Sequence, residues 1–442
     1  MNIRLPQAVE EIINRINAAG YEAYIVGGCV RDELLGKCPN DWDITTSASP
    51  YQIKELFRRT IDTGIKHGTV TVMIKGNGYE VTTYRIDGAY EDSRHPKEVT
   101  FTSSLEEDLK RRDFTINAMA YHPGEGLVDL FGGCEDLKNG IVRCVGEPSE
   151  RFCEDALRMM RAVRFAAQLG YGIEPSTFAA IQKLASTITK ISAERIQTEL
   201  VKLLVSDHPE KFRLLYQSGL TAYVMPEFDR AMETEQENPH HCYTVGEHIL
   251  HSLGYVRADK ALRLTMLLHD LAKPVTKTMD EQGIAHFYGH TEKGSEMAVE
   301  ILRRLKLDND TIHTVRQLVR YHDRRIGQTE KEMRRAVHQI GEDIFPALFD
   351  IQEADVLAQS DYKRNEKLLK IEQCREIYRK LVEEQQCMSL QKLAVNGKDL
   401  IDSGMEPGKA IGEILKQMLE DVIEEPSHNT KEFLLRKYAN RC

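Results

Sequence analysis

The spacing of apolar residues changes character near residue 145. Before it, short β-branched runs alternate with helical ones; after it, apolar residues recur almost everywhere at three- and four-residue steps. Residues 8–19 carry a helical stripe closed by Gly20. "EAYIVGG" reads as a buried strand ending in glycine, and "WDITT", "TVTVMI" and "YEVTTYRI" have the β-branched alternation of strands. Between them, "SPYQIKELFRR" predicts a helix with Ser49 as N-cap and Pro50 at its first position. Residues 1–145 are therefore expected to form a small mixed α/β domain.

The helical remainder divides further. "SERFCEDALRMMRAVRFAAQLG" predicts one helix that stops at Gly170, and more helices follow over 175–225, so 146–235 reads as a helical segment. "DRAMETEQENPHH" is polar and turn-rich and marks a boundary near 235. Residues 236–362 are helical and histidine-rich: nine of the fifteen histidines lie between 240 and 322. Residues 363–387 predict a long charged helix at the head of a helical tail, 363–442. The expected fold class is α+β, a mixed α/β head followed by an all-α neck and body and a further all-α domain.

Composition narrows the function classes. A chain of 442 residues is too long for one core. No apolar run approaches the length of a bilayer span, and "MNIRLPQAVEEIINRI" has no signal-peptide core, so no membrane partner is expected. The nine cysteines show no CxxC spacing and read as reduced thiols of a cytoplasmic protein. A net charge of −10 means that any nucleic-acid partner must be held by local Arg and Lys patches.

The first candidate chemistry lies in "GGCVRDELLGKCPNDWDITTSA", residues 27–48. Strand alternation points Asp41 and Asp43 the same way. Paired carboxylates repel, and a cation removes the conflict. With no histidine or cysteine nearby the donors suit a hard ion such as Mg²⁺, and Glu80 in "YEVTTYR" is a third candidate. Two such ions could hold both oxygens of an in-line phosphoryl displacement. Gly27 and Gly28 lead into "CVRDELLG", where backbone N–H groups can approach a phosphate, with Arg31 one turn in. "RRDFTINAMA" adds Arg111, Arg112, Asp113 and Asn117. On a helix over 154–165, Asp155, Arg158 and Arg161 would share a face. An Asp acceptor beside an Arg donor matches the pairing edges of cytosine and adenine and opposes those of uracil and guanine. Each mismatch would cost roughly 1–3 kcal/mol. The plain alternative is a surface salt-bridge ladder.

The motifs "VGGCVRD…DWDITTSA", "EVTTYR", "RRDFTINAMA", "DLFGG" and "CEDALRMMRAVRFAAQLGY" resemble, in order, those of class II tRNA nucleotidyltransferases, the CCA-adding enzymes, and related bacterial poly(A) polymerases. The resemblance covers residues 1 to about 230. It implies template-free addition of CCA to tRNA 3′ ends from CTP and ATP with Mg²⁺. It further implies that Asp41 and Asp43 are metal ligands. Gly28, Arg31, Arg112 and Arg161 would contact nucleotide, Asp155 and Arg158 would serve as the protein template, and Arg164 would be a further phosphate contact. "IDTGIKHGTVTVMI" looks like the CCA-adding pattern and lacks the basic run of the poly(A) polymerases. "YRIDGAYEDSRHPKEVTF", from Tyr84 to Phe101, reads as a polar surface loop. It resembles the loop that helps this family pass from C to A, which implies complete CCA addition, with A-only addition as the nearest alternative.

A second set comprises His248, His269-Asp270, His290, His322 and Asp355. Mixed imidazole and carboxylate ligands suit Mn²⁺, Fe, Ni²⁺ or Zn²⁺, and a carboxylate between two ions can activate water against a phosphoester. The set resembles the HD phosphohydrolase superfamily, including its two-metal form, over residues 240–360. That implies a transition metal and hydrolysis of 2′,3′-cyclic phosphates or monoesters. His322-Asp323 stands where the extended form often has paired histidines. His240, His241, His251, His286 and His313 are assigned to structure or surface. Two rivals remain: an HD phosphohydrolase with an RNA-binding front half, and a non-catalytic RNA-binding protein. The intact Asp41, Asp43 and Glu80 argue against both.

Overall fold

A seven-stranded sheet organises the front of the chain in the computed structural model, which describes residues 3–87 and 99–439. The chain divides into two compact units, Met1–Pro226 and Glu227–Cys442. The first unit begins with α1 (Gln7–Ala18), β1 (Ala23–Val26), α2 (Gly28–Leu34), β2 (Ile44–Thr46) and α3 (Pro50–Leu56). It continues through β3 (Thr60–Gly64), β4 (Thr69–Ile74), β5 (Asn77–Thr83), β6 (Arg85–Asp87) and β7 (Val99–Phe101). Then come α4 (Leu105–Lys110), β8 (Met119–His122), β9 (Gly126–Asp129), α5 (Gly133–Asn139), α6 (Pro148–Glu154), α7 (Leu157–Leu169), α8 (Pro175–Leu184) and α9 (Ala193–Leu204). The sheet order is β3-β4-β5-β2-β1-β8-β9. β1 lies in its interior and is buried at all four positions, as its unbroken apolar run requires.

Local chemistry explains the elements. Val9, Ile12, Ile13 and Ile16 form the buried stripe of α1. Ser49 and Gln52 make the reciprocal bonds of a capping box at the start of α3. Lys75 and Gly76, at φ 49° and 91°, turn β4 into β5 by the two-residue route that matches sheet twist.

Three expectations need correction. The "WDITT" strand begins only at Ile44, so Asp41 and Asp43 lie just before it, although the Asp43 carbonyl still accepts the Val26 N–H at 3.0 Å. The single helix across 154–165 is two helices, α6 and α7, with Asp155 extended between them at φ −142° and ψ 104°. The ends of the 84–101 stretch are not loop: β6 and β7 pair antiparallel, Arg85 opposite Phe101. The rest of that stretch, with Arg94 and Pro96, lies outside the described residues.

The second unit is helical apart from a two-stranded ribbon, Thr278–Met279 with Ala285–His286, among the described residues. Its helices include Val245–Leu253, Lys260–Leu268, His290–Arg304, Asn309–Tyr321, Phe345–Leu357 and the long Arg364–Glu383. The tail closes over a core of its own that includes Leu400, Met418, Leu419, Val422 and Leu434. Among the described residues, no helix is long and apolar enough to cross a membrane.

Candidate active site

The sheet brings the sequence-distant acids together. β2 runs parallel to β5 with Ile44 opposite Val81, so Asp43, just before β2, and Glu80, within β5, each precede that pair by one residue. Asp41 and Asp43 both keep solvent exposure. Even so, the loss of water around Asp43 raises its carboxyl above the ordinary value. Arg112 opposes the rise, and Glu80 and Asp41 add to it. Glu80, Asp41 and the Arg112 guanidinium are thus near enough to act on the Asp43 charge, and all the acidic donors are oxygens. That set fits a hard divalent cation.

Arg112 is placed by Asp108, a fully buried acid at the end of α4. Asp108 accepts from Arg112 Nη2 at 3.2 Å, from Arg111 Nη2 at 2.7 Å, and from Thr45 Oγ1 at 3.1 Å. Burial alone would lift the Asp108 carboxyl, but the two arginines bring it below its ordinary value. The Nε of Arg112 is buried without a partner, a donor left over for something else. Gly27 makes room for it: a Cβ there would lie 3.1 Å from Arg112 Nη1, and Gly27 itself needs φ 79°. Gly28 opens α2 directly after this turn.

The remaining candidates form one polar chain across α2, α7 and α9. Arg31 Nη1 donates to Asn117 Oδ1 at 2.7 Å, and Asn117 Nδ2 donates to Asp113 Oδ1 at 3.3 Å. Arg161 donates to Asp113 Oδ2 through Nε at 2.7 Å and lies 3.9 Å from Glu199, which accepts from Arg164 Nε at 2.5 Å. Burial would raise Asp113, but Arg161 and Arg158 hold it at about 2. Arg31, Arg161 and Arg164 also surround one ring, with their guanidinium carbons 5.3, 5.4 and 3.8 Å from the centroid of Phe165. Arg164 is buried and engaged by Glu199 and Gln168, so a phosphate contact would require it to exchange partners.

Asp155 and Arg158 meet through the backbone, the Arg158 N–H donating to the Asp155 carbonyl at 3.0 Å. Asp155 takes the fork of Arg195 at 2.7 and 3.3 Å and accepts the Leu157 N–H, the first of α7, at 3.0 Å. Arg158 donates to Glu154 at 2.6 Å and to the Arg111 carbonyl at 3.1 Å. The residues missed from sequence are Arg195 and Glu199. Their signal was weak: two charges on the amphipathic helix "AERIQTELVKLL", of which Glu199 is buried. Asp108 was missed in the same way.

The second cluster is assembled inside the second unit. All four histidines turn Nδ1 to a backbone carbonyl: His248 to Ala358 at 3.3 Å, His269 to Met266 at 2.8 Å, His290 to Phe287 at 2.8 Å and His322 to Val319 at 2.7 Å. A carbonyl can only accept, so Nδ1 carries a proton and each Nε2 faces inward. Asp270 sits between two pairs. Its Oδ2 is 3.3 Å from His269 Nε2 and 3.5 Å from His248 Nε2; its Oδ1 is 3.7 Å from His290 Nε2 and 3.6 Å from His322 Nε2. Asp355 Oδ1 completes the first group, 2.9 Å from His248 Nε2. Ligand atoms within 4.8 Å of one another thus form two groups, His248-His269-Asp270-Asp355 and Asp270-His290-His322.

This cluster fits cations. Facing Nε2 atoms stand 3.3 Å apart in one group and 3.4 Å in the other, and neither buried Asp270 oxygen has a hydrogen bond of good geometry. Burial disfavours a charged imidazole at His269, but Asp270 and Asp355 reverse that and raise it to about 10, so a proton stands in for a cation. Burial would raise Asp270 too, yet His269 and Lys273 hold it well below the usual carboxylate range. Lys273, three residues after Asp270, places Nζ 2.6 Å from Asp270 Oδ2. The second group draws its imidazoles from His290 and His322 and its carboxylate from Asp270, so it needs no histidine at the position of Asp323.

Comparison with known proteins follows the same division. Residues 23–143 match the Poly A polymerase head domain, 170–232 the RNA and SrmB-binding site of polymerase A, and 276–438 the tRNA nucleotidyltransferase domain 2 family. The CCA-adding enzyme of Levilactobacillus brevis is 38% identical over 438 residues, 98% of each chain. The chain belongs to the CCA-adding enzyme family. The front half is more alike: the Lactiplantibacillus plantarum CCA-adding enzyme is 54% identical over 226 residues, 51% of this chain and 54% of that one. The crystal structure of the Bacillus stearothermophilus CCA-adding enzyme in complex with CTP superposes with a TM-score of 0.72 at 31% identity, covering 99% of both chains. As a family member the chain is a tRNA nucleotidyltransferase. His248, His269 and Asp270 fall in 233–275, between the matched segments.

Proposed function

We propose that this chain adds CCA to tRNA 3′ ends from CTP and ATP, at a centre built from Asp41, Asp43, Glu80 and Arg112. The observation that carries this reading is that Asp43 and Glu80 each stand one residue ahead of the paired Ile44 and Val81, with Asp41 and Arg112 near enough to act on the Asp43 charge and the Arg112 Nε left with an unmet donor. Asp41 and Asp43 would hold Mg²⁺, which supplies charge neutralisation for an in-line phosphoryl displacement. Gly27 and Gly28 keep the start of α2 open beside Arg112, and Arg31 and Arg161 hold a cationic wall around Phe165 for the nucleotide. Asp155 and Arg158 choose the base: each is oriented by a fixed partner, Arg195 for the first and Glu154 for the second. We divide the chain into a head (1–145), a nucleotide-selecting neck (146–235), an HD-type domain (236–362) and a tRNA-binding tail (363–442).

The test uses a tRNA ending at the discriminator base, with CTP and ATP together. Three added residues ending in A support the reading. Arrest after two cytidines, or no addition until CC is already present, contradicts it and favours a partial enzyme.

A second activity is favoured by the buried histidine–aspartate cluster. His248, His269, Asp270, Asp355, His290 and His322 would hold transition-metal ions, which supply an activated water for phosphoester hydrolysis. Lys273 holds Asp270 ionised between the two groups. The substrates are phosphoesters of RNA. Loss of hydrolysis in His269→Ala with CCA addition intact would support it; absence of any bound transition ion and of any esterase activity would make the cluster structural.

A further inference from the structure

Two cavities meet at the histidine–aspartate cluster. One encloses about 820 Å³ and the other about 710 Å³, and His322, Asp355, Arg324 and Arg325 border both. A terminal phosphate or a cyclic mononucleotide would need only one of them. Each chamber also carries its own cations. In the larger, Lys363, Lys367 and Lys370 lie at three- and four-residue steps at the start of the helix Arg364–Glu383. Lys363 is held at φ 56°, a conformation that a lysine rarely adopts, as the chain turns into that helix. In the smaller, Lys273 and Arg320 line the wall. With Asp270 and Asp355 set aside as cluster ligands, Lys and Arg outnumber Asp and Glu in both chambers.

Each chamber has a tyrosine beside it that folding does not explain. Tyr288 lines the smaller one, is 76% exposed, and stacks on His286 with the rings 7° from parallel. Tyr362 is 47% exposed and packs edge-on at 4.9 Å against His240, which lines the larger one. Exposed aromatic faces next to a cationic track are the features by which proteins hold single-stranded nucleic acid, at roughly 1–3 kcal/mol per stacked base.

We propose that the substrate of this cluster is a single-stranded polynucleotide that passes through both chambers, so that the phosphate at the cluster is an internal diester and not an end. The inference rests on the hydrolytic reading of the cluster and names its substrate. The step is a hydrolysis: the water oxygen forms a new bond to phosphorus and one phosphorus–oxygen bond to a ribose breaks. The leaving oxygen takes one proton of the water, and the other is released from the new phosphomonoester. No electrons are exchanged.

The test uses the full chain with Mn²⁺ or Ni²⁺ and three probes: an unstructured end-labelled RNA oligonucleotide, a 2′,3′-cyclic mononucleotide, and the same oligonucleotide bearing a terminal phosphate. Internal cleavage is expected, absent in His269→Ala, with kcat/KM above that for the cyclic mononucleotide. Tyr288→Ala and Lys367→Ala should each raise KM for the oligonucleotide by about tenfold, the lower part of the stacking range, more than they lower kcat. Hydrolysis of the cyclic or terminal phosphate with the chain left uncut would overturn the inference and leave the hydrolytic reading standing. No hydrolysis of any probe, by wild type and His269→Ala alike, would remove both.

Discussion

Replacing Arg195 by methionine should loosen base choice without disabling transfer. Asp155 has two anchors, the Arg195 fork at 2.7 and 3.3 Å and the Leu157 N–H at 3.0 Å. Methionine keeps most of the side-chain length and removes only the charged fork. The pair is partly exposed, with side chains at 27% and 17%, so its loss should cost stability only about 0.5–1 kcal/mol. Its effect on selection should be larger in proportion. A correctly placed acceptor separates bases by roughly 1–3 kcal/mol, and a carboxylate held by one anchor instead of two should give up about 1 kcal/mol of that. At 1.36 kcal/mol per factor of ten, UTP and GTP incorporation should rise about fivefold relative to CTP. Single-turnover incorporation of each labelled nucleotide into tRNA lacking CCA gives these ratios directly. Asp155→Ala and Arg158→Ala set the upper limit and should relax the ratios further. If Asp155→Ala shifted the ratios while Arg195→Met left them at wild-type values, the pair would merely staple α9 to the α6–α7 junction. If neither shifted them, the template argument would fail.

Further outcomes follow from other sites. Asp113, held at about 2 against an ordinary value near 4, contributes stability that is present above about pH 4 and lost as pH falls through 2; Asp113→Asn should therefore cost about 2–3 kcal/mol at neutral pH and progressively less towards pH 2, read from urea unfolding followed by Trp42, the one tryptophan. His269→Ala should lower the transition-metal content of the purified chain, measured by elemental analysis, while CCA addition stays within twofold of wild type, on the order of 0.4 kcal/mol. Metal uptake by the wild type at neutral pH should release the proton that Asp270 and Asp355 keep on His269, which calorimetry in buffers of different ionisation enthalpy detects. Deleting Asp87–Arg94 should leave CC addition largely intact and stop the final A, seen as products ending in CC on a sequencing gel.

Much of this was readable from local pattern. Ser49 and Pro50 announced α3, Gly170 ended α7 in a left-handed cap, and the acids and histidines of both clusters stood out by residue type alone. What was not readable depended on distant partners. The apolar spacing runs unbroken through Leu157, Met160 and Val163, so nothing local signals the break at Asp155. There Asp155 accepts the first N–H of the next helix and meets Arg195, forty residues on. The start of β2 was misplaced because "WDITT" alternates well, whereas pairing with β1 and β5 begins only at Ile44. The two-sided placement of Asp270 needed three helices to bring His248, His290 and His322 to opposite faces of one carboxylate.

One measurement tests the acids ahead of β2 most directly. Nucleotide transfer to tRNA lacking CCA should be followed for Asp41→Ala and Asp43→Ala at saturating Mg²⁺, CTP and ATP, with circular dichroism confirming the fold. The account predicts native spectra and transfer reduced by at least about a thousandfold, some 4 kcal/mol of transition-state stabilisation. A folded variant that still adds CCA at close to the wild-type rate would contradict it.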